Sequence, residues 1–458
     1  MAKSENMKVG QKLIVNIHDI GMNGEGISRL TEHTIFIPHA LIGETCEVEI
    51  TSLKANIIGA KLCDVKFASP DRVEPICPLF GKCGGCDLMH MKYEKQLEYK
   101  QNALSTILRK NAGYVGATTK PVSSAQQLYY RNKLQMPFGL VKTTPILGFY
   151  AKKTHELVST YKCYLHGNWS SKLMAVVRRF AQDTKQTIYN EKTKKGLLRH
   201  LIGRYIDDVL IVTLVINGDS VNNINLLVKY LKRTFKKVTL YLSINTKHDN
   251  VIMGDRFIKV SYETYKINVS GIILQLSPHS FFQVNDGIRE LMYSYIVEDI
   301  IKHSNPTVID AFGGVGLIGA LCSKAGADVY NIEIEQAAID DAKKMCLANN
   351  INVTNICGDA KVELPKLLKS LLDKKVKNIS LILDPPRKGI DLKILEALIE
   401  CSKKIDFDIY YISCNAPTLS RDLGKLAKNF NIDSIKPYDM FPQTQHLETV
   451  VKLKNKRT

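Results

Sequence analysis

Over the first 65 positions apolar and polar residues alternate in short runs broken by turns. Lys12-Leu-Ile-Val-Asn-Ile17, Thr34-Ile-Phe-Ile-Pro38, Glu47-Val-Glu-Ile50 and Ile57 to Val65 read as strands, with Gly21-Met-Asn-Gly-Glu-Gly26 as a turn. About five strands at that spacing predict a small barrel of OB type, whose open face commonly holds oligonucleotides. Beyond residue 300 the pattern changes to continuous apolar runs: Thr307-Val-Ile-Asp310, Asp328-Val-Tyr-Asn-Ile-Glu333, Ile379-Ser-Leu-Ile-Leu-Asp384 and Asp408-Ile-Tyr-Tyr-Ile-Ser413. Such runs, alternating with helical stretches, predict a parallel sheet buried on both faces. Three of them end in a carboxylate, and the last runs into Cys414-Asn415, with Pro417 barring its continuation. Between residues 129 and 270 both periods mix. The expected architecture is α/β: an OB-type β-barrel over 1–66, a central α+β domain over 67–280, and a Rossmann-like domain over 281–458.

Composition narrows the class. The chain has 458 residues, 45% hydrophobic and 24% charged, as in soluble globular proteins. No run approaches the roughly 18 apolar residues of a membrane helix, and no apolar leader follows Met1-Ala-Lys-Ser-Glu-Asn. A cytoplasmic protein without a membrane partner is expected, with its 11 cysteines reduced. The net charge of +18 is uneven. Residues 63–299 carry 34 Lys and Arg against 19 Asp and Glu; residues 1–62 carry 6 against 7, and residues 300–458 carry 23 against 19. An excess concentrated in the middle of the chain points to a polyanion, and nucleic acid leads. Arg131, Lys133, Arg199 and His200 are the candidate RNA contacts, with tyrosine and histidine nearby to stack on unpaired bases.

Candidate chemistry sits at the strand ends, where open α/β sheets place it. Cys414 is a thiol at such an edge in a chain with no reason to form disulfides, and so a candidate nucleophile. Asp310-Ala-Phe-Gly313-Gly314-Val-Gly316 turns from strand to helix and lets backbone approach a ligand. Glu333, ending the next strand, stands where a ribose hydroxyl pair would sit, and Asp359 could face an adenine. The loop departs from the dinucleotide-binding form, so S-adenosyl-L-methionine fits better than NAD. A second cluster is Cys77-Pro-Leu-Phe-Gly-Lys-Cys83-Gly-Gly-Cys86, with Cys163 the nearest cysteine downstream. Four thiolates suit a structural zinc or a 4Fe–4S cluster, and the unmatched spacing leans to iron–sulfur.

Asp384-Pro-Pro-Arg387, Ile412-Ser-Cys414-Asn415 and His446-Leu-Glu448-Thr-Val450, in that order behind the glycine loop, resemble the TrmA-class RNA (uracil-5-)-methyltransferases. The turn Ile20-Gly-Met-Asn-Gly-Glu-Gly26 before Phe36-Ile-Pro-His-Ala-Leu-Ile-Gly-Glu44 resembles the TRAM domain attached to several RNA-modifying enzymes. With the four cysteines, these features resemble the iron–sulfur, rRNA-modifying branch. Two departures stand out: Gly313-Gly314 where the family usually has Cys-Gly, and Ala416 between Asn415 and Pro417.

The resemblance implies a class I methyltransferase domain and C5-methylation of a uridine, with a loop of 23S rRNA as target, by a monomeric enzyme. Cys414 would add to C6 and Glu448 would take the C5 proton. Gln283, Phe312 and Glu333 would hold the cofactor, and Asp384 would meet its methionine end or the base. Cys77, Cys83, Cys86 and Cys163 would hold the 4Fe–4S cluster. The alternatives are the same chemistry on tRNA, cytosine methylation, or a non-catalytic RNA-binding or redox protein. Cytosine enzymes set their nucleophile in a Pro-Cys or Thr-Cys context, which Ser413-Cys414 lacks. A non-catalytic protein has no need of Cys414 and Glu448 together.

Overall fold

Alternate burial along the first strands produces one curled sheet with a single apolar face. The computed structural model describes residues 7–261, 263–278 and 280–456; the outermost residues of the expected first and last domains, 1–6 and 457–458, lie outside them. Six strands follow: β1 (Lys12–Asn16), β2 (Asp19–Ile20), β3 (Gly26–Leu30), β4 (His33–Ile37), β5 (Thr45–Lys54) and β6 (Ile57–Phe67). Their order is β1-β5-β6-β4-β3-β2. The two-residue β2 is too short for alternation to reveal, hence one strand more than expected. Val15, Ile17, Ile35, Ile37, Val48, Ile50 and Ile58 fill the inner face. Three register shifts along β5–β6 bend these long strands.

Two compact units emerge. One holds the chain up to Leu104 together with Tyr150–Val158 and Phe441–His446. The late segment is stitched in by backbone: Asp87 and Leu88 N–H both donate to the Gln443 carbonyl at 3.0 Å. Gln96 completes the tie, its amide donating to Gln443 Oε1 and its Oε1 accepting from Gln443 N, both at 3.0 Å.

The other unit holds the rest of the chain. Helix α1 (Tyr93–Ala112), which begins in the first unit, is followed by β7 (Lys133–Val141), β8 (Thr144–Tyr150) and β9 (Leu157–Ser159), which also begins in the first unit. Next in chain order are α2 (Asn168–Asp183), β10 (Leu198–Ile206) and β11 (Val209–Ile216). Then follow α3 (Ile224–Thr234), β12 (Lys237–Ile244), β13 (Arg256–Lys259) and the small pair β14 (Ile267–Val269) and β15 (Ile272–Leu274). Strands β10 and β11 form a hairpin whose turn residues, Asp207 and Asp208, both have positive φ, as the twist of a two-residue hairpin demands. All eight residues of β11 are buried, and α3 provides the crossover to its parallel partner β12.

The last sheet is the one that positions chemistry. It is built from α4 (Asp286–Ile300), β16 (Thr307–Ala311), α5 (Leu317–Lys324), β17 (Asp328–Glu333), α6 (Gln336–Asn349), β18 (Val353–Cys357), α7 (Ala360–Asp373) and β19 (Ile379–Leu383). It continues through α8 (Leu392–Ser402), β20 (Phe407–Ser413), α9 (Ala416–Leu426), β21 (Phe430–Tyr438) and β22 (Glu448–Asn455). The strand order is β18-β17-β16-β19-β20-β22-β21. The first five are parallel, as the continuous apolar runs predict; β22 alone is reversed, inserted antiparallel between β20 and β21. Both β16 and β19 are buried at every position. Among the described residues no helix is long and apolar enough to cross a membrane.

Candidate active site

The glycine turn after β16 is held open by what lies beneath it. Phe312, Gly314 and Gly316 take positive φ. A Cβ at Gly313 would stand 2.2 Å from Asn331 Oδ1 and 2.8 Å from Asp310 Oδ2, so the turn admits no side chain there. Gly314 N–H donates to Glu333 Oε2 at 3.0 Å, and Glu335 N–H donates to Glu333 Oε1 at 2.9 Å. Glu333 thus clamps the loop through both oxygens and keeps lone pairs for a ligand. Asp310 is wholly buried; Oδ2 accepts from Gly319 N–H at 3.2 Å, while Oδ1 has no partner. Burial pushes its pKa up to about 7, with the charges of Asp384 and Glu333 adding to the rise.

Cys414 occupies the junction between β20 and α9. The strand stops because Asn415 takes the N-cap position and Pro417 falls in the first helical turn, where its missing N–H costs nothing. Ser413 Oγ accepts from Asn415 N–H at 3.2 Å and fixes the bend. Glu448 opens β22, 2% exposed, with Thr449 paired to Ser413 in the next register position. Asp384 follows β19 and accepts from Gln283 Nε2 at 3.5 Å. Gln283 is itself buried, and its carbonyl accepts from Asn132 Nδ2 at 3.0 Å.

These groups crowd one another electrically. Burial raises the Cys414 thiol to about 11, Glu448 and Asp384 add to the rise, and the Arg387 guanidinium opposes it by its charge and a hydrogen bond to the sulfur. Glu448 is driven well above the carboxylate range by burial first and by Asp384 second. Burial lifts Asp384 to about 7 against the Gln283 hydrogen bond. Two carboxyl groups and a thiol share one cation, so the site resists holding several negative charges at once. Such a site can retain protons at neutral pH and pass them singly. Cys414, Glu448, Asp384 and Gln283, drawn from segments far apart in sequence, come together here; Phe312 and Glu333 stand at the glycine turn.

Other expected residues take different roles. Asp359 caps α7, its carboxylate accepting from Lys361 N–H at 2.9 Å, so its polar end is engaged locally. Arg199 is a correction. It is not a solvated RNA contact but a buried strut, 7% exposed, donating to the Asn245 and Lys247 carbonyls at 2.6 and 2.7 Å and lying over Tyr189. His200 is half-buried, and desolvation lowers its pKa to about 4, so it brings no positive charge near neutrality. Arg131 and Lys133 are half-buried; desolvation, then Arg204 and Arg131, bring the Lys133 pKa down to about 8. Cys77, Cys83, Cys86 and Cys163 are all half-buried. Burial raises the Cys83 thiol, and Cys77 is close enough to add to the rise. Among the described residues, however, no three His, Cys, Asp or Glu side chains stand grouped to hold a metal ion. Arg387 was passed over as a functional group in the sequence; its place just beyond Asp384-Pro-Pro was the available signal.

Comparison with known proteins agrees with this geometry. The family described as tRNA (Uracil-5-)-methyltransferase matches residues 92–456, and the TRAM domain matches residues 7–62. A protein of Clostridium acetobutylicum described as an uncharacterized RNA methyltransferase is 32% identical over 464 residues, covering 99% of each chain. One from Staphylococcus epidermidis is 33% identical over 454 residues, covering 97% of this chain and 98% of the other. The crystal structure of Pyrococcus abyssi tRNA (uracil-54, C5)-methyltransferase, solved with S-adenosyl-L-homocysteine, shares the fold. It aligns with a TM-score of 0.75 at 24% identity, over 96% of this chain and 99% of the other.

Proposed function

The chain belongs to the tRNA (uracil-5-)-methyltransferase family and carries a TRAM domain, and we propose that it methylates C5 of a uridine in RNA through a covalent bond from Cys414. The observation that carries this reading is the meeting of Cys414, Glu448, Asp384 and Arg387 at one edge of the sheet. S-adenosyl-L-methionine would supply the electrophilic methyl group, with Gln283, Phe312 and Glu333 as its holders and Asp359 at the edge of that site. Uracil C5 is a weak nucleophile. The Cys414 thiol must first lose its proton to solvent. The thiolate then adds to C6, and the resulting enolate can take the methyl as the donor's methyl–sulfur bond breaks and leaves a neutral thioether, which is covalent catalysis. Asp384 contacts the methionine end of the donor or the base. Glu448, in its ionised form, then removes the C5 proton; a raised pKa makes that carboxylate the stronger base. The electron pair returns to expel the Cys414 sulfur from C6.

The target uridine must leave its stack to be reached, which favours loop RNA. Our reading is a loop of 23S rRNA, modified in the cytoplasm by a monomer, with residues 1–66 and 67–280 holding the RNA and 281–458 the chemistry. Arg131 and Lys133 are the basic contacts that remain. tRNA is the second reading, favoured by the description of the matched family. Mapping 5-methyluridine in rRNA and tRNA from a deletion strain decides between them, and loss from neither refutes uridine methylation. For the cluster, spacing and resemblance support Cys77, Cys83, Cys86 and Cys163 as 4Fe–4S ligands. Protein purified without oxygen should hold about four irons per chain; one zinc and no iron would refute the cluster alone.

A further inference from the structure

The loop that carries Arg387 is fastened to helix α9 by an unusual number of side-chain hydrogen bonds. Asn415 Nδ2 and Thr418 Oγ1 donate to the Arg387 carbonyl at 2.9 and 3.2 Å. Arg421 Nη2 donates to the carbonyls of Lys388 at 3.1 Å and Ile390 at 3.3 Å. Asp422, with no exposed surface, completes the latch: Oδ2 accepts from Ile390 N–H at 2.9 Å and from Tyr411 O–H at 2.7 Å, and Oδ1 accepts from Arg421 Nε at 2.8 Å. The loop lies so close to the helix that a Cβ at Gly389 would stand 2.6 Å from Asp422 Oδ2 and 2.7 Å from Arg421 Nη2. The latch thus joins residues 387–390 to α9 and its N-cap, and through Asp422 to Tyr411 of β20.

Those same two elements flank Cys414. A loop anchored to the helix that begins beside the thiol holds the start of the Arg387 side chain in a fixed place relative to the sulfur. We propose that Arg421 and Asp422 are positioning residues that set the reactivity of the Cys414 thiol by locking the loop that presents Arg387. Neither touches the sulfur. The inference rests on the reading of Cys414 as nucleophile, but its test needs neither RNA nor methyl donor. The charged groups facing the thiol are Glu448 from β22, Asp384 beyond β19, and Arg387; the two carboxyls oppose ionisation and Arg387 alone favours it.

The test is the pH dependence of Cys414 alkylation by iodoacetamide, read by mass spectrometry of the Cys414 peptide in the full-length protein. Only the thiolate reacts, so the rate follows its fraction. Arg387→Gln should move the curve to higher pH and slow alkylation at pH 8 by about tenfold, because the thiolate fraction falls in step with the rising thiol pKa. Arg421→Met should move it less in the same direction, slowing alkylation by about threefold. In the Arg387→Gln background, Arg421→Met should add nothing, because the group it positions is gone. Should Arg421→Met not fold, Thr418→Val, which removes one bond to the Arg387 carbonyl, is read in the same way. An unmoved curve in the folded variant, or an equal displacement with and without Arg387, overturns the proposal. Failure of RNA methylation with these displacements intact would instead refute the assigned activity.

Discussion

Strands β20 and β22 run side by side, and their two ends treat ionisable groups in opposite ways. At one end Tyr410 pairs in register with Lys452. Lys452 Nζ meets Asp299 Oδ2 at 2.5 Å, the Tyr410 hydroxyl donates to the same oxygen at 2.8 Å, and Lys302 donates to Oδ1 at 3.0 Å. Burial works to raise the Asp299 pKa, yet these hydrogen bonds outweigh it and hold the carboxyl well below its usual range. At the other end, beyond the last residue of β20, burial acts on Cys414, Glu448 and Asp384, opposed by Arg387 and, at Asp384, by the Gln283 hydrogen bond, and every pKa still rises. Asp299 is only half-buried and has three donors, whereas Glu448 is buried and has few; depth and partners together decide the direction. One end commits its charges to stability, and the other keeps them unsettled for a ligand.

That contrast breaks most visibly at Cys414. Cys414→Ala should lower methyl transfer to RNA by at least about 10³-fold, since the addition step has no other nucleophile. RNA containing 5-fluorouridine, which lacks a removable C5 proton, should form a gel-stable adduct with wild-type protein and none with the variant. Full activity without Cys414 would end the covalent mechanism.

Glu448→Gln should slow turnover by about 10²–10⁴-fold, the usual worth of a general base. A methylated RNA–protein complex should then accumulate with ordinary uridine, visible by denaturing electrophoresis. Wild-type turnover would make Glu448 a strand residue only.

Lys452→Met probes the settled end. It removes one charged hydrogen bond from half-buried Asp299, which keeps Tyr410 and Lys302, and should cost about 2 kcal/mol, measured by denaturant unfolding. The alkylation profile of Cys414 should not move. The sign with pH follows from the depressed Asp299 pKa: its stabilisation is present above the unfolded value near pH 4 and is lost as pH falls further. The variant should therefore show a flatter acid limb than the wild type.

The smallest effect is expected at Asp310→Asn, which keeps an acceptor for Gly319 N–H and removes a buried charge. A raised carboxyl pKa means the native state binds more protons between about pH 4 and 7, so stability falls as pH rises through that window. The variant should gain about 1 kcal/mol at pH 8 and nothing near pH 4. An equal gain at both pH values would show that Asp310 is not titrating there.

Strand ends were the most legible part of the chain. The apolar run before Cys414 and the following Pro417 located a strand-to-helix junction, because periodicity and proline act locally. The meeting of Glu448 with Cys414 was legible only through motif resemblance, since their strands are joined through the intervening α9 and β21. Arg199 was misread because a basic residue looks alike in sequence whether it faces water or carbonyls; its acceptors, Asn245 and Lys247, lie more than forty residues on. Asp359 was read from the sequence only as facing an adenine; that it caps its own helix, accepting from Lys361 N–H, was not anticipated. The latch on Arg387 left no pattern either, because hydrogen bonds from Asn415, Thr418 and Arg421 to carbonyls place no demand on the residue types that supply those carbonyls.

The Gln443 stitch has a consequence during synthesis. The unit begun by the first strands needs Phe441–His446, a piece made more than 330 residues after Leu104. Until then Asp87 N–H and Leu88 N–H lack the Gln443 carbonyl, and Gln96 keeps only its local bonds to the Leu88 and Met91 carbonyls. An emerging N-terminal half therefore cannot reach its final form in isolation, and closing so long a loop is slow. The stitch also lies immediately before Leu447 and Glu448, so the stretch that completes the oldest part of the nascent chain is made together with the residue assigned to proton removal. Birth order thus delays the base until the first-made unit has all its pieces.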